Sequence, residues 1–299
     1  MARTLPRPGR GGFGRPALRA ALVLALVLAV FLVAGLALRR GRLLDRHFIY
    51  FPESSLVETP ADAGLEYEDV VFSAADGVEL HGWFVPGEGE GTLLWLHGNA
   101  GNISHRVGNL ALMRRHLGMS IFIFDYRGYG RSEGTPSEAG IYRDAEAALV
   151  YLRSQRGVDP ERDVVLFGRS IGAAVAVETA ARRRVRAVIL ESPLTSIRDV
   201  AHRAYPYLPS GVLVRLFEAR YDALSRIREV HAPLMVLHGD RDGTIPMEAG
   251  RALFEAANEP KRFYTIEGAD HNDTYLAGGR AYFEALRRFV DEVPPGSAG

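Results

Sequence analysis

The feature that most constrains this chain is the run Gly168-Arg169-Ser170-Ile171-Gly172, wedged between an apolar stretch, Asp163-Val164-Val165-Leu166-Phe167, and a run of small residues, Ala173-Ala174-Val175-Ala176-Val177. It reads as strand, turn and helix with no residue to spare. A turn that tight strains the serine backbone and requires glycine on both sides, because a Cβ at either position would collide with the neighbouring strand or helix. The serine hydroxyl is then lifted above the end of a sheet, and the helix behind it offers unpaired N–H groups and a positive dipole end to a developing oxyanion. A second Gly-x-Ser-x-Gly, from Gly130 to Gly134, lacks that setting. It lies several residues past its strand and runs into Thr135-Pro136-Ser137-Glu138, a turn and a helix start, so Ser132 is read as a loop residue and Ser170 as the nucleophile.

The rest of the chain has to supply the sheet. From about Leu65, β-rich runs alternate with helix-like ones, the pattern of an α/β domain with a mainly parallel sheet covered by helices. Eight strands are expected: Tyr67–Ser73, Val78–Val85, Thr92–His97, Ser120–Phe124, Asp163–Phe167, Ala187–Leu190, Leu234–Leu237 and Arg262–Ile266. The first two read as a hairpin turned at Ala75-Asp76-Gly77, and the later ones as strands buried on both faces. Helices are expected over Asn102–Leu117, Gly140–Arg156, Ile171–Arg183, Met247–Ala257 and Gly279–Val293. Between Leu190 and Leu234 lie about forty residues broken by Pro193, Pro206, Pro209 and Gly211, too many for a simple crossover. Two readings fit residues 194–231: a small helical cap whose Tyr205, Tyr207, Leu208, Val212, Leu213, Val214, Leu216 and Phe217 cover a pocket, or an ordinary peripheral helix pair.

A serine hydroxyl is a poor nucleophile at neutral pH and needs a base within hydrogen-bond reach, itself oriented by an acid. For a nucleophile on such an elbow the chain order is serine, acid, histidine. His271, in Glu267-Gly268-Ala269-Asp270-His271-Asn272 just after the last strand, is the expected base. The acid is expected at the end of the seventh strand, in His238-Gly239-Asp240-Arg241-Asp242-Gly243, where a carboxylate faces the same rim as Ser170. Asp242 is preferred, with Asp240 read as tying down the turn and Glu191, at the end of the sixth strand, as a second rival. The oxyanion hole needs the N–H of the residue after the nucleophile, Ile171, and one from the loop after the third strand, Asn99 in Leu96-His97-Gly98-Asn99-Ala100-Gly101-Asn102. Asp125 and Arg127, past the fourth strand, either brace that loop as a salt bridge or cap a turn.

Several classes are excluded. The chain has no cysteine, so thiolate catalysis and cysteine-based metal sites are out, and its net charge of +0 gives no field to draw nucleic acid. No Gly-Lys-Ser/Thr follows the glycine-rich loop, and Gly128-Tyr129-Gly130 lacks the spacing of a dinucleotide fingerprint. The Arg182-Arg183-Arg184 run reads as cations at a helix C-terminus. The expected chemistry needs neither a metal nor an organic cofactor.

Ahead of the domain, residues 20–38 carry no charge and are apolar throughout. A helix of that length reaches about 28 Å, close to the hydrocarbon thickness of a bilayer. The run is longer than the apolar core of a usual signal peptide and reads as a transmembrane anchor, with a cleaved leader ending near Gly35-Leu36-Ala37 as the rival. Arginines flank it on both sides, which leaves its orientation open. The expected order is a basic tail (1–19), the anchor (20–38), a juxtamembrane linker (39–64), the globular domain (65–293) and a short tail (294–299). In the linker, Phe48, Tyr50 and Phe51 suit either the lipid interface or packing on the domain.

Taken together, Leu96-His97-Gly98-Asn99-Ala100-Gly101-Asn102, Asp125-Tyr126-Arg127-Gly128-Tyr129-Gly130-Arg131-Ser132-Glu133-Gly134, Gly168-Arg169-Ser170-Ile171-Gly172 and His238-Gly239-Asp240-Arg241-Asp242 resemble the membrane-anchored serine hydrolases with an α/β-hydrolase domain. The resemblance covers about Tyr67 to Val293. It implies the α/β-hydrolase fold, a Ser170, Asp242, His271 triad and hydrolysis of esters or thioesters, since some relatives remove fatty acyl groups from protein cysteines. The implied partners are a small-molecule or acylated-protein substrate and membrane lipid. The competing expectation is a catalytically silent hydrolase fold used as a membrane-tethered binding module.

Overall fold

The computed structural model describes residues 48–204 and 217–293, together with residues 22–29, 31, 32, 35, 45 and 207. The eight expected strands all form, with ends moved by one or two residues: β1 (Glu68–Ser73), β2 (Glu79–Val85), β3 (Thr92–Leu96), β4 (Ser120–Phe124), β5 (Val164–Arg169), β6 (Ala187–Glu191), β7 (Leu234–Gly239) and β8 (Lys261–Ile266). They make one sheet in the order β8-β7-β6-β5-β3-β4-β2-β1. β2 runs antiparallel to both β1 and β4, and the other neighbours pair in parallel. β5 and β7 outrun their apolar stretches because polar residues stay in the ladder at the carboxyl ends, Arg169 opposite Glu191 and Gly239 opposite Ile266. Those ends carry the residues of interest.

Side chains that alternate along each buried strand build two cores. Leu93, Trp95, Ile121, Ile123, Val165, Phe167, Met235 and Leu237 face one side, under α1 (Val107–Leu117) and, at the chain's end, a long C-terminal helix. Leu94, Leu96, Phe122, Phe124, Leu166, Val188 and Val236 face the other. There they meet α2 (Glu138–Arg156) and α3 (Ile171–Arg182). α2 starts on Ser137, whose hydroxyl accepts from the Gly140 N–H, and stops at Gly157 with φ 66°. α3 is built of small residues because it lies almost on the sheet, with residues 171–180 all buried.

Two helix starts differ from expectation. The stretch after Asn102 first makes a 3-10 turn, Ile103–Arg106, closed by the Asn102 side chain accepting from Ser104, and only then becomes α1. After α4 (Ile197–Ala204) and α5 (Met247–Ala256) comes α6, which spans Thr274–Glu292 and starts ahead of Gly279. Gly279, read as a start, is a kink inside it, with φ 50° and ψ −139°.

Of the expected cap, α4 and residues 217–231 are described, and Phe217 packs on the core, whereas Tyr205, Leu208, Val212, Leu213, Val214 and Leu216 lie outside the described residues. The tails 1–19 and 294–299 and part of the anchor run lie outside them as well. Residues 22–29, 31, 32 and 35 are helical, and among the described residues no helix is long and apolar enough to cross a membrane. The linker aromatics divide: Tyr50 is buried, while Phe48 and Phe51 are exposed at 56% and 49%.

Arg127 does not pair with Asp125. It reaches away, to Asp144 on α2 and to Asp76 in the β1–β2 turn, with N–O distances of 2.7 to 3.1 Å. Asp144 is completely buried. Burial raises its carboxyl above the usual range, and the Arg127 hydrogen bonds work against that. Arg127→Ala therefore strands a buried charge, and urea denaturation is expected to show a loss of about 3–5 kcal/mol; a loss under 1 kcal/mol refutes the assignment.

Candidate active site

β5 delivers Ser170 and α3 begins at the next residue, so the serine sits at φ 55° and ψ −121°. L-residues avoid that region, and the turn is held by what surrounds it. A Cβ at Gly168 would stand 2.4 Å from the Gly172 carbonyl oxygen, and one at Gly172 would stand 2.1 Å from that of Leu96. Both glycines are thus required by close approach of backbone, as the motif implied. The decoy serine is structural: Ser132 is buried, donates to the Asp125 carbonyl at 2.6 Å and accepts from the His81 N–H at 2.9 Å.

His271 follows β8 on a loop turned back over the sheet, and its Nε2 lies 3.2 Å from Ser170 Oγ. Its Nδ1 lies 2.8 Å from Asp242 Oδ2. The other Asp242 oxygen accepts from the N–H groups of Thr244 and Ile245, at 2.9 and 2.7 Å. Burial opposes its charge, but the side-chain contacts of His238 and His271 and the Ile245 N–H hold its carboxyl well below the usual range. A carboxylate so placed stays an anion and fixes the imidazole proton on Nδ1, leaving Nε2 free to accept from the serine.

Both rivals for the acid have other work. Asp240 accepts from the Gly268 N–H at 2.7 Å, tying the β7 turn to the β8 turn. Glu191 is completely buried and accepts from Thr274, at 2.9 Å, and from Tyr282, both on α6. Its Oε1 also stands 2.9 Å from Nε of Arg169, whose other end donates to the His271 carbonyl. Glu191 and Arg169 therefore link the elbow to the histidine loop from below.

The loop after β3 lies beside the nucleophile: a Cβ on Gly98 would stand 3.6 Å from Ser170 Cβ. Its carbonyls are turned away from the site by donors. His97 Nδ1 lies 2.7 Å from the Gly98 oxygen, Tyr126 donates to the His97 carbonyl at 3.1 Å, and Tyr129 donates to the Asn99 carbonyl at 2.8 Å. In a trans peptide the N–H points opposite to the C=O, so the His97 contact aims the Asn99 N–H the other way. Among the described residues no hydrogen-bond acceptor takes the N–H of Asn99 or of Ile171. The arrangement suits two donors to one developing negative charge.

Beneath this loop are two buried groups with displaced pKa values. Burial, reinforced by Arg106, pushes the His97 imidazole down to about 3. Burial pushes Asp125 up to about 7, although the Ile103 N–H and Arg106 pull the other way. Asp125 Oδ1 accepts from Ile103 at 2.9 Å, so the residue braces the loop through backbone. A Cβ on Gly130, where φ is 51°, would stand 1.9 Å from Asp125 Oδ2, which explains a glycine of the decoy motif.

The profile of the family described as serine aminopeptidase, S33, matches residues 87–210. Rv2307c, an uncharacterized protein of Mycobacterium tuberculosis, is 42% identical over 252 residues, 83% of this chain and 88% of that one. The alpha/beta hydrolase domain-containing protein WAV2 of Arabidopsis thaliana is 35% identical over 286 residues, 88% of this chain and 92% of the relative. This chain belongs to the alpha/beta hydrolase family. A solved structure with the same fold is the esterase Pf2001 of Pyrococcus furiosus, at TM-score 0.69 and 21% identity, covering 81% of this chain and 99% of that one. For this alpha/beta hydrolase, sequence reading missed Arg169, His238 and the Tyr126–Tyr129 pair. The signal for each was its place in a motif run, Asp125–Gly134 for the tyrosines, Gly168–Gly172 for Arg169 and His238–Asp242 for His238.

The folded pKa of Asp125 exceeds the unfolded value of about 3.9. Its stabilising contribution is therefore present below about pH 4 and is lost as pH rises through about 7. Melting temperature against pH should fall across that window in the wild type and flatten in Asp125→Asn, which keeps the Ile103 hydrogen bond. Parallel curves for the two proteins defeat this account of Asp125.

Proposed function

We propose that this chain is a serine hydrolase that cleaves carboxylic ester or thioester bonds of lipid-like or acylated substrates and is tethered to a membrane by residues 20–38. The observation that carries the reading is the unbroken contact from Ser170 Oγ to His271 Nε2, 3.2 Å, and on from Nδ1 to Asp242, 2.8 Å. Ser170 Oγ attacks the acyl carbon as His271 takes its proton, and Asp242 steadies the resulting imidazolium. The Asn99 and Ile171 N–H groups receive the oxyanion. Collapse breaks the C–O or C–S bond, His271 returns the proton to the leaving group, and an acyl-Ser170 ester remains. Water, deprotonated by the same imidazole, then releases the acid and restores the hydroxyl.

The preference for esters draws on the neighbouring esterase and on the family resemblance, while the matching family profile is described as an aminopeptidase. Support for the tether comes from the uncharged run itself and from its helical residues, whose apolar side chains are exposed, Leu22 at 63%, Leu26 at 67% and Phe31 at 71%. Apolar surface of that kind marks a partner or a lipid phase.

Purified protein is expected to react with a fluorophosphonate probe and to hydrolyse a series of p-nitrophenyl esters and acyl thioesters faster than aminoacyl amides. Ser170→Ala should abolish labelling, and Asp242→Asn should lower kcat by about 10⁴-fold, as loss of the orienting acid does in such triads. Well-folded protein that does not label is instead a silent binding module. In membranes, the chain should stay in the pellet after an alkaline carbonate wash; release into the supernatant rejects the tether.

A further inference from the structure

We propose that Asp45 and residues 48–55 form a strap that positions the oxyanion loop, so that this segment ahead of the first long strand is a working part of the catalytic site. The inference rests on the reading of Ser170 as nucleophile and of the Asn99 N–H as an oxyanion donor.

Asn99 carries two hydrogen-bonding groups on its backbone and two on its side-chain amide, and the strap holds one of each. The Phe51 N–H donates to the Asn99 carbonyl at 3.0 Å, and Asn99 Nδ2 donates to the Ile49 carbonyl at 2.9 Å. Its backbone N–H, opposite the Gly98 carbonyl that His97 holds, is left without an acceptor among the described residues. The pairing continues as a short parallel ladder, Phe51 opposite Ala100 and Pro52 opposite Gly101, and the Glu53 N–H donates to the Gly101 carbonyl at 3.3 Å. At the far end of the loop, Asn102 Nδ2 donates to the carbonyls of Glu53 and Ser55, at 2.9 and 2.8 Å. The loop is gripped along its length by a segment about fifty residues earlier in the chain.

A strap works only if its own ends are fixed. Asp45 is buried, and its carboxylate accepts from the N–H groups of Glu218 and Ala219, at 3.1 and 2.9 Å, where the chain returns from the insertion after β6. The Tyr50 hydroxyl meets the Tyr221 hydroxyl at 3.0 Å. On the other side the Gly130 N–H donates to the Glu53 carbonyl at 2.9 Å. Ile49 and Tyr50 anchor the segment in the core, while Phe51, whose ring is exposed, contributes its backbone to the loop. A donor displaced by about 1 Å loses about 10²-fold in rate, and removal of one donor about 10²- to 10³-fold.

The test uses the full chain in detergent with a short p-nitrophenyl ester, active sites being counted by fluorophosphonate titration so that misfolded protein drops out. Phe51→Pro removes the N–H given to Asn99 while suiting an extended backbone. It is expected to lower kcat 10- to 100-fold, with KM changed less than about twofold, and to weaken a trifluoromethyl ketone, which forms an oxyanion on Ser170, by the same factor as kcat. Phe51→Ala keeps the N–H and should retain at least tenfold more kcat than the proline variant. Asn99→Ala keeps its own N–H, loses the Ile49 contact, and should shift kcat and ketone affinity in the same direction. Unchanged kcat and ketone affinity in Phe51→Pro and Asn99→Ala overturn the strap, as does a loss carried by KM alone. Wild-type protein that does not label at Ser170 fails the underlying reading instead, whatever the variants do.

Discussion

Close approach of the first turn of α3 to the end of β3 is the contact on which the rest of the site depends. Gly172 has no side chain, and the space a Cβ would fill belongs to the carbonyl oxygens of Leu96 and His97, 2.1 and 2.6 Å from that point. A side chain there would move α3 off the sheet and carry the Ile171 N–H away from Asn99. One missing methyl group thus brings together two donors from elements more than seventy residues apart. The strained Ser170 backbone costs on the order of 1–3 kcal/mol. Burial of α3 from residue 171 to residue 180 sustains it, so the small residues after the elbow serve the serine as much as the core.

Two aspartates at this rim are driven in opposite directions by the donors they meet. Asp242 has two backbone N–H groups and two imidazoles pointed at it, and their sum exceeds the penalty of burial. Asp125 has the Ile103 N–H alone within hydrogen-bond range, with the unprotonated edge of His97 at 3.7 Å, so burial prevails and its acid form persists up to about pH 7. Pairs of carboxyl groups separated in this way are how one site holds a permanent anion beside a neutral brace. Under the proposed mechanism, the anion orients the histidine, and the acid supports the loop without placing a second negative charge under a developing oxyanion.

What was legible in the sequence was local. The elbow, the order of strands and the positions of Asp242 and His271 could be read because short runs carry them: a turn that needs its glycines, apolar stretches of strand length, and polar groups at strand ends. Partners brought from far along the chain could not be read. Arg127 and Asp125 were read either as a salt bridge bracing the loop or as capping a turn, yet Arg127 finds Asp76 and Asp144 instead. Glu191 was a fair rival to Asp242, since sequence gives the strand end and not the hydroxyls of Thr274 and Tyr282 that occupy it. The last helix was expected to start at Gly279; it starts at Thr274, and Gly279 bends it.

The same non-local logic changes what residues 39–64 are. By composition they are a linker, but Asp45 and the residues from 48 onward are built into the rim of the sheet. Six residues lie between Leu38, the end of the apolar run, and Asp45, and the seven Cα steps reach at most ~24 Å. Under the proposed tether, the rim that carries Ser170 is therefore kept within a short span of the lipid. A substrate whose acyl chain lies in the bilayer then meets the serine at the rim nearest to it. That reach leads into the residues whose backbone holds Asn99, so under the proposed tether the attachment adjoins the support of the oxyanion loop.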